Sequence, residues 1–288
     1  MPFAYGNGSK AKAIWRCFSR ADYTMCIAYL AIGAHKDWPV FIAANRDEFH
    51  QRPCQPAAPW PDRPDIIAGI DVQGGGTWLG VTTAGRYALI TNYRDPGKVL
   101  ADAPTRGDLV RRFLEGGTPP SEYARSLSAT AGDYNGFNLI VGDLSEAVYL
   151  GNRSPDSAVV SLEPGTYILS NHLLDTPWPK AERLKQALDA YPIEHLSESL
   201  TDVFHILKDG TVADDAALPS TGLTLERERL LSSPFIVSPD YGTRCSTIVA
   251  LRADGHSIFS EVSFDTLGKA IERHDWPFCL SAGIAMDA

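Results

Sequence analysis

The chain has 288 residues, of which 44% are hydrophobic and 21% charged, enough apolar material for a core and too much for a disordered chain. Lys and Arg number 26 against 35 Asp and Glu, and the formal charge of -9 removes any bulk electrostatic pull toward nucleic acid or anionic lipid. No run approaches the ~18–20 apolar residues that a membrane-spanning helix needs.

Residues 1–24 carry Lys10, Lys12, Arg16 and Arg20 against the single acid Asp22, with no apolar stretch of the kind a secretory signal has. A basic, acid-poor start fits an organelle transit peptide. A disordered tail or a misplaced start codon is preferred, because Met25 stands directly before a strand-like run. The domain reading is therefore an extension over 1–24 and one domain over 25–288.

Cys26 to Ile32 and Val40 to Asn45 read as two strands of a hairpin, turning at Gly33 to Pro39. Residues 52–64 hold Pro53, Pro56, Pro59, Pro61 and Pro64 and read as loop. A short strand follows at Ile66 to Ile70, and Gly74-Gly75-Gly76 allows a backbone path closed to other residues. Trp78 to Thr83 and Arg86 to Thr91 form a second hairpin. Helices are expected from a Thr105 cap to Leu114 and from Ser121 to Ala131 behind Pro119-Pro120. Strands return at 137–141, 147–150, 158–162 and 167–170. A helical block fills 179–207 with a turn near Pro192, a further helix covers 223–231, and two last strands run 243–251 and 257–263. Hairpin connections mean antiparallel pairing, and helices in blocks between strand blocks mean an α+β layered fold.

Five cysteines (Cys17, Cys26, Cys54, Cys245 and Cys279) are odd in number and form no C-x-x-C pair, which argues against a disulfide framework or a zinc knuckle. No metal site is expected. Nor is there a zinc-protease, P-loop, serine-elbow or dinucleotide motif.

Asn45-Arg46-Asp47-Glu48, with Met25-Cys26 upstream, resembles the NRDE (transport and Golgi organisation protein 2-like) family. Arg52-Pro53, Gly75-Gly76-Thr77-Trp78-Leu79-Gly80, Thr91-Asn92-Tyr93, Gly136 to Leu139, Leu169-Ser170-Asn171 and Tyr241 to Arg244 agree in order. The family is in turn distantly similar to the cysteine N-terminal nucleophile hydrolases, including penicillin V acylase and bile salt hydrolase. That resemblance implies a four-layer αββα sandwich of two antiparallel sheets and cleavage of linear, non-peptide C–N amides.

An N-terminal cysteine carries nucleophile and base on one residue: the thiol attacks and its own α-amine, with a pKa of about 8, accepts the proton. Cys26 is the expected nucleophile, provided its amine is free. Asp47, at the far end of the hairpin's second strand, is placed to orient that amine. By resemblance, Asn92 and Asn171 supply oxyanion donors, and Arg244 polarises a carbonyl or clamps a carboxylate. Arg46 lies on the opposite face of the strand from Asp47, and where the acylases carry an arginine three residues before the aspartate this chain has Ala44. Asn45, Arg46, Gly76 and Trp78 complete the expected ligand-binding set. Cys245 is assigned to core packing.

Two functions compete. One is an amidohydrolase, needing no cofactor. The other is a non-enzymatic carrier on the same scaffold, in haem trafficking or secretory-pathway (Golgi) organisation as the resemblance implies. Its haem would be held by the Cys26 thiolate or by His35, His50 or His172. Either partner is a small molecule. Missing signal and unpaired cysteines favour the cytoplasm.

Overall fold

The computed structural model describes residues 25–155 and 158–281. The expected extension over 1–24 lies outside the described residues.

The first hairpin is built from β1 (Met25–Ile32) and β2 (Val40–Phe49). Both strands are apolar on both faces. Ala28, Leu30, Ile32, Val40 and Ile42 look into the molecule, while Ile27, Tyr29, Ala31, Phe41 and Ala43 look out to helices. Strands covered on both faces read as continuous apolar runs. β2 does not stop at Asn45; it runs through the Asn-Arg-Asp-Glu tetrapeptide, because this strand has neighbours on both sides.

The second sheet starts with β3 (Cys54–Trp60) and β4 (Arg63–Asp71). The expected loop over 52–64 is thus largely strand. Its prolines are tolerated because β3 is an edge strand whose pairing breaks between Gln55 and Ala58 and again at Trp60. The sheet continues through β5 (Leu79–Thr82), β6 (Tyr87–Asn92), β7 (Phe137–Gly142), β8 (Ala147–Gly151) and β9 (Val159–Ser161). The chain then returns to the first sheet with β10 (Gly165–Leu169), β11 (Tyr241–Leu251), β12 (His256–Phe264) and β13 (Ala270–Cys279). β13 was not among the expected strands. Among the described residues the orders are β10-β1-β2-β11-β12-β13 and β3 through β9 in sequence, all antiparallel.

Helices α1 (Gly107–Glu115) and α2 (Pro120–Ser128) cover the seven-stranded sheet, and α3 (Pro179–Asp189) and α4 (Thr201–Leu207) cover the six-stranded one. α5 (Leu225–Leu230) lies near the start of β1. In α1, Leu109, Val110, Phe113 and Leu114 form one buried stripe. The expected Thr105 cap is not used: Arg106 precedes the helix and no side chain caps it. A shared apolar core from Leu30 and Ile42 to Val81, Leu89, Ile140 and Tyr149 fills the space between the sheets. The result is the expected four-layer αββα sandwich. No helix among the described residues is long and apolar enough to cross a membrane.

Candidate active site

The candidate site lies where β1 begins, between the two sheets. In the antiparallel register Cys26 pairs with Arg46, and Arg46 pairs on its other side with Cys245. Directly paired residues share a face, so two thiols and a guanidinium point into the space between the sheets. Trp78 closes that space from the second sheet, its ring 4.5 Å from the Arg46 guanidinium. Gly69 is what admits it, since a Cβ there would come within 2.1 Å of the Trp78 ring. Ala28, Ala44, Leu79, Leu89, Thr91 and Thr247 line the rest of a narrow cleft whose inner volume is about 10 Å³, room for a single water-sized group.

Cys26 is half-buried, with the Asp47 main chain beside it. Its thiol is pushed up to about 12, chiefly by burial and then by the Asp47 carboxylate, against the Arg46 charge and the Asp47 N–H. The Cys26 carbonyl accepts from Ser170 Oγ at 3.0 Å, and Ser170 Oγ also donates to Asn171 Oδ1 at 3.1 Å. Asn171 Nδ2 donates to the Asn92 carbonyl at 3.0 Å. The ends of β6 and β10 are thus joined beside Cys26, and both asparagines belong to its surroundings.

Asp47 alternates with Arg46 and lies on the other face, with Met25 as its register partner. Its Oδ1 accepts from Thr243 Oγ1 at 2.6 Å, and its Oδ2 is buried with no hydrogen-bond partner among the described residues. Burial pushes this carboxyl up to about 6, with the Lys180 charge opposing. Lys180, in the first turn of α3, is buried with Nζ unpartnered among the described residues; burial first, and then the Arg94 charge, bring it down to about 8. Around Met25 this face also gathers Tyr241, whose hydroxyl accepts the Met25 N–H at 2.7 Å, and a buried Arg94–Glu228 ion pair at 2.6 Å. Arg94 Nη2 reaches Met25 Sδ at 3.4 Å. Lys180, Arg94, Glu228 and Tyr241 were not expected from the sequence. No short motif marks them, and only the fold brings Lys180 to Asp47.

The remaining expected residues are placed for structure. Asn45 points away from the cleft: Nδ2 donates to Leu207 O at 2.7 Å and Pro234 O at 2.9 Å, while Oδ1 accepts from Ser246 Oγ. Gly76 has φ of +78°, and a Cβ would lie 2.4 Å from the Gly107 carbonyl, so the glycine seats the start of α1. Arg244 does not open a strand. It is the extra residue of a bulge within β11, and Nη1 donates to the carbonyls of Phe49, His50 and Arg52. Cys245 is buried, as expected.

The histidines do not gather around Cys26. His35 sits in the β1–β2 turn, a full strand away, about 20 Å at strand rise. His50 Nε2 is held on the Ser238 carbonyl, and both ring nitrogens of His172 are engaged, by the Tyr93 hydroxyl and Thr176 Oγ1. These histidine side chains therefore do not assemble an axial pair. Among the described residues no group of three or more His, Cys, Asp or Glu is placed to hold a metal ion.

Residues 25–266 match the model of the family described as Transport and Golgi organisation 2. The chain is 38% identical over 260 residues to the Transport and Golgi organization protein 2 homolog of Bos taurus and 37% identical to that of Homo sapiens, in each case covering 83% of this chain and 93% of the relative. Among solved structures it is similar to penicillin V acylase from Agrobacterium tumefaciens (12% identity, 83% of each chain, TM-score 0.44). It is also similar to a mutant of conjugated bile acid hydrolase from Clostridium perfringens (10% identity, 87% of this chain and 96% of that one, TM-score 0.47).

Proposed function

Taking as premise that the chain belongs to the Transport and Golgi organisation 2 family, we propose that it is an amide hydrolase with Cys26 as nucleophile, acting on a small non-peptide C–N amide. The observation that carries this reading is the placement of Cys26: lining a cleft between the sheets, directly across from a buried arginine. While Met25 remains attached, Cys26 has an amide nitrogen and a thiol that stays protonated at neutral pH. Scission before Cys26 would supply an amine of pKa about 8. That amine takes the thiol proton, the sulfur bonds to the substrate carbonyl carbon, and the carbonyl oxygen becomes an oxyanion. Collapse breaks the C–N bond, the leaving amine takes the proton back, and water then cleaves the thioester. Asn171 Nδ2 spends one N–H on Asn92 and has a second for the oxyanion.

The test is the intact mass of protein from its native source, before and after a thiol-reactive probe. A mass that begins at Cys26, with labelling lost in Cys26→Ala, is the expected result, and a screen of small amides in the cytoplasmic fraction would follow. A mass that retains Met25, with Cys26 unlabelled, removes the amine and ends the hydrolase reading. Haem titration of that same sample, read by its Soret band, then tests the carrier.

A further inference from the structure

We propose that Arg46 is a further catalytic residue of this cleft, its Nη1 donating to the oxygen of the carbonyl that Cys26 attacks; the proposal rests on the hydrolase reading. Arg46 is 6% exposed and its Nη1 is buried without a hydrogen-bond partner among the described residues. Its ion pair is made through Nη2, to Glu48 at a long 3.6 Å, and Glu48 is shared with Arg52 at 3.5 Å. Leaving an arginine N–H unmet in the interior costs more than any ordinary unsatisfied donor. A residue kept in that condition beside a thiol marks a site where a ligand completes the set.

The backbone fixes the face on which the unmet donor lies. Register pairing puts Arg46 and Cys26 side chains on one face, with Cβ atoms about 4.5–5.5 Å apart. The Trp78 ring lies 4.5 Å from the guanidinium and packs against it. The inner volume of the cleft suits one oxygen atom and little more. Its other walls are largely apolar, Ala28, Ala44, Leu79 and Leu89 among them, so a charge that develops there is poorly screened and a preorganised cation counts strongly. Arg46 thus stands ready on one wall of the cleft, across from Cys26.

Two small reagents separate an oxyanion donor from a residue that merely supports the thiol. In acylation by p-nitrophenyl acetate the sulfur–carbon bond forms through an oxyanion, the carbon–oxygen bond to nitrophenolate breaks, and the thiol proton goes to solvent. In alkylation by iodoacetamide the sulfur–carbon bond forms as iodide leaves, and no oxyanion arises. Both rates are read at Cys26 by peptide mass, on the protein whose N-terminus the intact mass has fixed. Arg46→Met is expected to slow acylation about a hundredfold more than it slows alkylation, the slowing common to both being the loss of the Arg46 charge beside the thiol. Arg46→Lys should recover part of the loss, and it carries the comparison if the methionine variant does not fold. Acylation and alkylation falling in step, or acylation unchanged, overturns the role given to Arg46 and leaves the nucleophile standing. Wild-type Cys26 taking neither reagent overturns the hydrolase reading, and this inference with it.

Discussion

Lys180 and Asp47 face each other's charge on the helix side of the six-stranded sheet, each with a buried polar atom that has no hydrogen-bond partner among the described residues. Their titration has a definite sign. Asp47 moves from 3.8 up to about 6, so the folded chain holds this proton where the unfolded chain has lost it, and the contribution to stability falls as pH rises through that window. Lys180 moves from 10.5 down to about 8, so stability recovers as pH climbs from about 8 toward the ordinary lysine range. Both charges burden the fold most between about pH 6 and 8. The Asp47→Asn, Lys180→Met double variant should therefore gain on the wild type by about 1–3 kcal/mol more at pH 7 than at pH 4 or 10. Urea unfolding across that range checks it, and a difference that does not vary with pH rejects the assignment. Charges that bring this cost sit where Met25 joins Cys26, as expected of groups retained for chemistry. Cys26, Arg46, Asp47 and Trp78 were legible in the sequence because each lies in a short motif. Lys180, Arg94 and Glu228 were not, since each belongs to an ordinary helix or loop and meets the others only through long-range packing.

At the level of elements, apolar periodicity located strands wherever a strand is buried on a face, and failed where it is not. β13 runs Ala-Ile-Glu-Arg-His-Asp-Trp-Pro-Phe-Cys along the sheet edge, mostly exposed, so little in its sequence demands a strand. β3 was hidden by its prolines for the same reason: edge strands have spare N–H positions where proline does no harm. Gly76 shows the reverse case, in which a backbone demand is visible as a residue type but its purpose is not. A ligand approach was expected, whereas the structure uses the position to bring Thr77 N–H onto the Gly107 carbonyl and to seat α1. Gly76→Ala must place a Cβ both at positive φ and against that carbonyl, so it should cost more than about 2 kcal/mol. The loss is read as a lower urea midpoint with an unchanged m-value. A midpoint within error of wild type would mean that the loop relaxes freely, and that the α1 start is not anchored there.

For the whole molecule, the order of strand and helix blocks was enough to anticipate two antiparallel sheets between helix layers, because every layer needs an apolar face on each side it buries. What holds the sheets in register at the Cys26 end is polar, and was not anticipated. Asn138, in the middle of the seven-stranded sheet, donates from Nδ2 to the His172 carbonyl at 2.8 Å and to Thr91 Oγ1 at 3.2 Å, and accepts from the Tyr149 hydroxyl at 2.7 Å. Thr91 Oγ1 in turn donates to the Ser170 carbonyl at 2.6 Å, and Ser170 Oγ to Cys26 O. One buried amide thereby ties β7 and β8 to the end of β10 and, through it, to β1. Apolar contacts elsewhere between the sheets tolerate small slides, but a network with fixed donors does not. Asn138→Ala strands the Tyr149 hydroxyl and the His172 carbonyl in the interior, and should lower stability by about 2–4 kcal/mol. The more telling readout is local. Amide exchange should quicken around residues 91–94 and 169–172 while the helices α1 and α2 on the far face keep their protection. Uniform quickening across both sheets would instead mean that Asn138 contributes only to global stability, and that the site end of the sandwich is held by its apolar core alone.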